Sequence, residues 1–419
     1  MSGSSETQRS PRAIHGATAA LGSRLATKAL GLVLLVIIAR RLGPGGFASY
    51  SYLLVLASAV IVITDSGVAA VAARAIASGD ADIGRAYRAA GATQLATTLL
   101  GAAVVAGAGV VARGPGFTDG ALAWTTGVVL ANGVFNLQAE VLRGAARPWA
   151  EAALQLVCTV LQIGGSLAVL ARHGGVGGLM AVLALTTLAT AGLAQLALPW
   201  PTRSAPDRTL RWTLFRQGIW LGVGTTLMAV MWRLPQLIFG NAASIPAVAD
   251  FAVATRYLET GTMLCYTAAI GIFPALSRRS VTEPGAMTAL IRRLLAGCVA
   301  FGALVAAPGV VLVHLVTVPV FGRQYAGAVP VASIFVGAAP LILLFHMAWY
   351  ALVVQHRERT VMIGSAAGAA AAALGGAVVV VHASATTAAA VTLIAVGAAT
   401  VPFVAVAWRS VSSPVGVPS

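Results

Sequence analysis

The sequence predicts an all-α integral membrane protein of about twelve transmembrane helices, and three observations carry that prediction. The first is composition: 58% of the residues are hydrophobic and 9% charged, with a mean hydropathy of +0.88. A soluble domain is about a quarter charged and needs that polar surface to coat itself. The second is pattern, because the apolar runs are continuous and rich in Ala, Leu, Val and Gly, unlike the alternating segments of about ten residues in a membrane β-barrel. The third is length. About 20 helical residues cross a hydrocarbon core of about 30 Å, so 419 residues joined by short loops hold roughly a dozen spans.

Taken in order, residues 1–12 are polar and Ser-rich and read as a disordered cytoplasmic tail. The first apolar run starts near residue 17, is span-length and lacks a secretory cleavage site, so it is expected to stay in the membrane. Spans are expected at 17–39, 47–71, 89–112, 121–142, 150–171 and 176–199, which places an N-terminal six-helix bundle within 13–200. The first two spans form a helical hairpin around Arg40-Arg41-Leu42-Gly43-Pro44-Gly45-Gly46-Phe47, where Gly and Pro punctuate the chain. Residues 201–216, with Pro201, Pro206 and charges of both signs, read as a cytoplasmic linker. A C-terminal six-helix bundle within 217–409 follows, with spans at 217–240, 248–273, 294–318, 328–354, 360–382 and 387–408, and then a cytoplasmic tail over 410–419. Pro235, Pro308 and Pro340 fall inside second-half spans, so bending is expected in that half. The GxxxG spacings Gly218/Gly222 and Gly364/Gly368 are expected to serve close helix packing within a bundle.

Arginine placement sets the orientation. With both termini in the cytoplasm, eighteen arginines lie inside, and the outer loops hold only Arg40, Arg41, Arg113, Arg172 and Arg323. The same distribution accounts for the net charge of +15 without nucleic acid, since the basic residues stand in ones and twos between apolar runs. Arg40 and Arg41 are the local exception to the rule, explained by snorkelling at a helix end or by a functional rim at the outer mouth. Cys158, Cys265 and Cys298 stand singly, with no metal or redox spacing. There is no GxxxxGK[ST] phosphate loop, HExxH, GxSxG or Cys/His cluster, and no loop is long enough for a catalytic domain, so neither ATP hydrolysis of that type nor enzymatic activity is expected, and no cofactor or metal.

Two groups of residues carry a family resemblance. The pattern Ala39-Arg40-Arg41-Leu42-Gly43-Pro44, Phe47, Tyr50, Asp65-Ser66-Gly67-Val68 and Arg74 resembles the opening of Wzx-type oligosaccharide/polysaccharide flippases of the MATE-like exporter superfamily. The second group runs from Trp232-Arg233-Leu234-Pro235-Gln236-Leu237-Ile238-Phe239-Gly240 through Ala249-Asp250-Phe251 and Arg256-Tyr257-Leu258-Glu259 to Phe273-Pro274-Ala275-Leu276-Ser277-Arg278. In it, Trp232 stands where the family pattern has an acidic residue, and Pro235 is an additional departure. The resemblance implies two pseudo-symmetric six-helix bundles around a cavity that opens alternately to each side. It also implies a multi-pass protein of the bacterial inner membrane.

A carrier needs polar groups at membrane depth that recognise its cargo, and an isolated charge facing lipid costs about 3 kcal/mol or more. Arg24 and Lys28, at i and i+4 on the first span, share a face. With Arg233 and Arg256 they are the candidates for a cationic cavity that takes the diphosphate of a polyprenyl-linked oligosaccharide, because a guanidinium fork binds phosphate oxygens in pairs. The blander reading is that Arg256 pairs with Glu259 or Asp250 while Arg24 and Lys28 snorkel. Asp65, Asp250 and Glu259 are candidates for ion coupling or charge pairing. Asp65 is read first as a packing and capping residue near Arg74, and His314 and His346 as buried imidazoles.

The leading functional expectation is therefore a flippase of polyprenyl-diphosphate-linked glycan for surface polysaccharide synthesis. Its expected partners are that lipid, the bilayer and glycan polymerase machinery, and the protein is expected to be monomeric. The alternatives are a drug or lipid II exporter on the same scaffold, or a membrane glycosyltransferase or polymerase. A basic intramembrane balance argues against cationic drugs, and the absence of a large outer loop argues against the enzyme.

Overall fold

The computed structural model describes residues 11–65, 67–111, 118–198, 207–262, 284–355 and 357–409. Every regular element among them is a helix. In chain order these are α1 (Pro11–Thr64), α2 (Val68–Ala77), α3 (Ile83–Val111), α4 (Asp119–Gly144), α5 (Pro148–Ala171), α6 (Val176–Ala197), α7 (Arg208–Ala242), α8 (245–262), α9 (Pro284–Phe321), α10 (Ala328–Gly337), α11 (Ala339–Val354), α12 (Glu358–Val381) and α13 (Ala385–Arg409). A short 3-10 turn, Arg323–Tyr325, separates α9 from α10.

Eight helices among the described residues are long and apolar enough to cross a membrane, or nine if α10 and α11 form one bent span. The protein is thus a multi-pass membrane protein, and side chains such as Leu196 and Leu374, both 76% exposed, face the hydrocarbon. α7 does not reach that apolarity, because Arg208, Arg211, Arg216 and Arg233 interrupt its run. The described part of α8 carries Asp250, Arg256 and Glu259, and the rest of the expected span to 273 lies outside the described residues. The 38 residues of α9 amount to about 57 Å, well beyond one hydrocarbon thickness.

The expected spans fall on these helices; two of the three breaks within them differ from the sequence reading, and the third falls at an expected proline. The stretch 40–47, expected as a loop, keeps helical turns and breaks only at Gly43, where φ is 66° and ψ −179°. An L side chain resists that conformation, and Pro44 then restarts the helix without needing an N–H. The two arms of α1 meet again on Tyr325. Its hydroxyl donates to the Ala39 carbonyl at 2.8 Å, and its ring stands edge-on to Phe47 at 5.7 Å.

The second break interrupts the expected span 47–71 between Asp65 and Gly67, after which α2 continues the chain. The Gly67 amide donates to Asp65 Oδ1 at 3.2 Å, and Gly67 takes φ 69°. A Cβ on Gly67 would sit 2.5 Å from the Gly218 carbonyl oxygen, so only glycine lets this junction lie against α7. Gly364 and Gly368 serve the expected close packing, with α12 lying on the backbone of α13 at Ala399 and Ala395.

The third break is a 47° bend between α10 and α11, with Pro340 in the first turn of α11. Proline removes the amide that would have continued the helix. α7 and α9 continue as helices through Pro235 and Pro308, so of the three prolines Pro340 is the one at a helix break. The Gly67 break gives the first half a discontinuity of its own.

Packing sorts the helices around two centres. α4 packs against α3, α6 and α2, while α7 packs against α12 and α13, with α11 joining α9 to α13. α1 belongs to both surroundings, touching α3, α4 and α5 on one side and α7 and α9 on the other.

Candidate functional site

α7 and α8 bring three of the expected residues together. Arg233 Nη1 on α7 donates to Glu259 Oε1 at 2.9 Å, and Arg256 Nη1, one turn earlier than Glu259 on α8, donates to Oε2 at 2.7 Å. One carboxylate therefore bridges two guanidinium groups from two helices, leaving the trio with a formal charge of +1. The Arg256 side chain is only 12% exposed, and its Nε is buried with no hydrogen-bond partner among the described residues. Ser51 Oγ, on the second arm of α1, is in the same condition and lines the same narrow crevice as Arg256.

On the other side of Glu259 lies a cavity of about 330 Å³, enclosed by α7, α8, α11 and the second arm of α1. Its polar and aromatic lining comes from Trp232, Arg233, Gln236, Glu259, Thr262 and His346. Its volume falls at the lower end of the roughly 300–1,000 Å³ typical of small-molecule sites. Arg233 lies well inside α7, lines this cavity and turns its guanidinium to Glu259.

The other expected site residues lie elsewhere. Arg24 and Lys28 sit on the first arm of α1, but their side chains lie outside the described residues. Asp250 is not a partner of Arg256. Its carboxylate accepts from the Ala328 amide at the start of α10, and a Cβ on Gly327 would collide with it. That makes Asp250 a helix cap, stabilised by the unsatisfied amides and partial positive charge of the helix N-terminus. Asp65 caps the Gly67 turn, with Arg143 as a neighbouring cation. Arg143 in turn pairs with Glu140 at 2.9 Å and lies 3.7 Å from Glu151. Sequence reading missed this acid-rich cluster because Asp65 lies some 75 residues before Glu140, Arg143 and Glu151, and only the fold brings it to them.

Arg40 is neither a free rim charge nor simply snorkelled. Its Nε donates to the Val320 carbonyl at 2.6 Å and its Nη2 to the Pro319 carbonyl, so it satisfies the last carbonyls of α9. Near the same end, Asn241 Nδ2 donates to the Tyr52 hydroxyl at 2.6 Å. These contacts, together with Tyr325 on Ala39, tie α1 to the second half of the chain.

His314 is exposed on α9, whereas His346 lines the cavity with Nδ1 on the Ile342 carbonyl at 2.8 Å. Thr262 was not singled out by type or spacing, and Trp232 and Gln236 were legible only as members of the second motif group, Trp232 as its departure from an acidic position. Only their position on the cavity-facing sides of helices that carry Arg233 and Glu259 marks them as cavity residues. Cys158 is buried and Cys298 half-buried, while Cys265 lies outside the described residues. Among the described residues no group of His, Cys, Asp or Glu could hold a metal ion.

Asp207, at the start of α7 in the joint between the two halves, has its own ion pair. Its carboxylate accepts from the Leu210 amide at 2.9 Å and from Arg85 Nη2 at 2.6 Å. The Leu210 amide first, and then Arg85, hold its carboxyl below the ordinary aspartate value of 3.8.

Comparison with known proteins places this geometry in a lineage. A family model described as polysaccharide biosynthesis protein matches residues 14–280. No curated protein matches the sequence significantly. Among solved structures, an inward-facing multidrug resistance MATE family transporter of the MOP superfamily aligns with a TM-score of 0.72 at 13% identity, covering 92% of this chain and 96% of that one. The lipid II flippase MurJ in an inward closed conformation aligns with a TM-score of 0.72 at 12% identity, over 94% of this chain and 88% of that one. A MOP superfamily transporter from Pyrococcus furiosus, described as having a binding pocket of reversed polarity, aligns with a TM-score of 0.59 at 14% identity, over 94% and 95%. Identities this low establish the fold.

Proposed function

The chain belongs to the polysaccharide biosynthesis protein family, and from that premise we propose that it is a flippase that carries polyprenyl-diphosphate-linked oligosaccharide from the cytoplasmic to the outer leaflet. In this reading it crosses the bacterial inner membrane twelve times, with both termini in the cytoplasm and two pseudo-symmetric six-helix bundles. Transport proceeds by alternating access, without ATP hydrolysis.

The observation that carries the reading is the bridging of Arg233 and Arg256 by Glu259 on the wall of a cavity between helices. A pair of arginines held at membrane depth is costly unless something anionic occupies them. Between transport cycles that anion is Glu259. A diphosphate offers more oxygens and more charge than one carboxylate, and arginine takes phosphate oxygens with parallel N–H donors. Cargo phosphates thus displace Glu259 from one or both guanidinium groups, and the carboxylate takes them back on release. Arg24 and Lys28 add positive charge from the first arm of α1.

The ties of Arg40 to α9, Tyr325 to Ala39 and Asn241 to Tyr52 close one end of the interface between the halves. Two-state exchange requires these ties to part and re-form, with cargo shifting the balance only by its differential affinity for the two states. A lipid II exporter would use the same arginines, since that cargo also presents a diphosphate. A cationic-drug exporter would not, because the one carboxylate at the cavity is already engaged by two cations.

Deleting the protein in its host tests the reading. Lipid-linked glycan accumulating on the cytoplasmic face supports a flippase, whereas unpolymerised glycan accumulating outside assigns the chain to polymerisation instead.

A further inference from the structure

We propose that Trp232 is the stacking platform for the first sugar ring of the cargo, adjoining the Arg233/Arg256 phosphate site. The inference rests on the flippase reading and names the part of that site which distinguishes a glycosylated lipid from a bare one.

Tryptophan in a membrane protein ordinarily sits at the lipid–water boundary, where its indole is half apolar and half wet. Trp149, Trp212 and Trp220 fit that pattern, each more than half exposed. Trp232 does not. It lines the inter-helix cavity beside Arg233 and Glu259, with no exposed belt position to explain it.

The indole is flanked by two rings. Phe345 meets it edge-on at 5.9 Å with an interplanar angle of 84°, and His346, which also lines the cavity, lies at 6.4 Å, tilted by 33°. An indole carries a π-face of negative quadrupole, to which the C–H face of a pyranose is attracted while its hydroxyls remain free at the edge.

Hydroxyl partners stand around that edge. Gln236 uses its Nε2 on the Trp232 carbonyl at 3.1 Å, which leaves Oε1 to accept. Thr262 donates to the Glu259 carbonyl at 2.9 Å and keeps its oxygen lone pairs. His346, bonded through Nδ1, has Nε2 as its second polar atom. Trp232 and Arg233 are neighbours in sequence and both reach the cavity, matching a sugar joined directly to its phosphate. The cavity of about 330 Å³ suits one ring with its phosphates, not a whole oligosaccharide.

The test measures binding of two probes to the purified full-length protein: undecaprenyl diphosphate alone, and the same lipid carrying a single N-acetylglucosamine. Wild-type protein is expected to bind the sugar-bearing lipid about tenfold more tightly, a difference of about 1.4 kcal/mol. Trp232→Leu should erase that preference and leave bare undecaprenyl diphosphate within about twofold, while Trp232→Phe retains most of the preference. Retained binding of the bare lipid also shows that the variant is folded. A preference unchanged in Trp232→Leu overturns the platform. Wild-type protein that binds neither probe overturns the flippase reading and the platform with it.

Discussion

Arg233 and Glu259 meet at 2.9 Å across two helices, and the other oxygen of the same carboxylate holds Arg256. If Glu259 stands in for the cargo's phosphates, removing its charge helps binding and harms release. Glu259→Gln should tighten binding of bare undecaprenyl diphosphate several-fold while slowing steady-state transport. Because the Glu259 side chain is 36% exposed, solvent screening limits the loss of stability from the broken pairs. A binding titration alongside a transport assay checks this, and a Gln variant that binds more weakly would show Glu259 to be a cargo contact, not a stand-in.

Asp250 is the acidic residue whose setting is that of a cap. Asp250→Asn should lower the melting temperature by an amount equivalent to about 1 kcal/mol, because a neutral amide caps the start of α10 less well. Transport by the folded protein should persist across pH. Gly327→Ala should destabilise more, since its Cβ collides with the Asp250 carboxylate. Thermal melts of both variants, with transport measured below their melting points, decide the matter; abolished transport in well-folded Asp250→Asn would make Asp250 a coupling residue.

The two halves close on each other near Gly45, whose Cβ position lies 4.0 Å from Ile245 Cγ2. A cysteine Sγ at 245 can take the place of that Cγ2, which puts it within reach of a cysteine at 45. A Gly45→Cys/Ile245→Cys pair should cross-link under mild oxidation, block transport, and recover it on reduction. Full transport by the cross-linked protein would mean that this end need not open.

Asp207 sets a pH dependence whose direction follows from its environment. Its carboxyl is depressed in the folded protein by the Leu210 amide and by Arg85, so its contribution is fully present above the ordinary aspartate range and is lost as pH falls through the depressed folded value. Wild-type protein should therefore lose part of its thermal stability below about pH 4, and Asp207→Ala should lose less over the same interval. Melting curves from pH 3 to pH 6 for the two proteins, compared as differences, check the sign.

The fold was largely legible because burial in lipid leaves a coarse signature. Continuous apolar runs locate the helices, and the Gly43-Pro44 pair and Pro340 each mark a break that the structure contains. The Gly67 junction was not legible as a break, since its need for glycine comes from the backbone of Gly218, some 150 residues away, and not from its neighbours. Arg233, Arg256 and Glu259 could be found by charge within apolar segments, but their joint geometry could not, because Arg233 belongs to one helix and its partner to the next. The shared role of Trp232 and His346 was not legible: the sequence marks Trp232 as a departure from an acidic position and His346 as a buried imidazole, and only helix packing sets both on one cavity.

The central claim is that Arg233 and Arg256 hold the cargo's diphosphate. The most direct measurement is transport of undecaprenyl-diphosphate-linked glycan in proteoliposomes by wild-type protein and by Arg233→Gln/Arg256→Gln, reconstituted at equal protein levels. Leaving Glu259 without either cation, the double variant should retain less than about a hundredth of wild-type transport, corresponding to the loss of two charge-assisted contacts of about 1.5–3 kcal/mol each. Transport at the wild-type rate by the folded double variant would contradict the account.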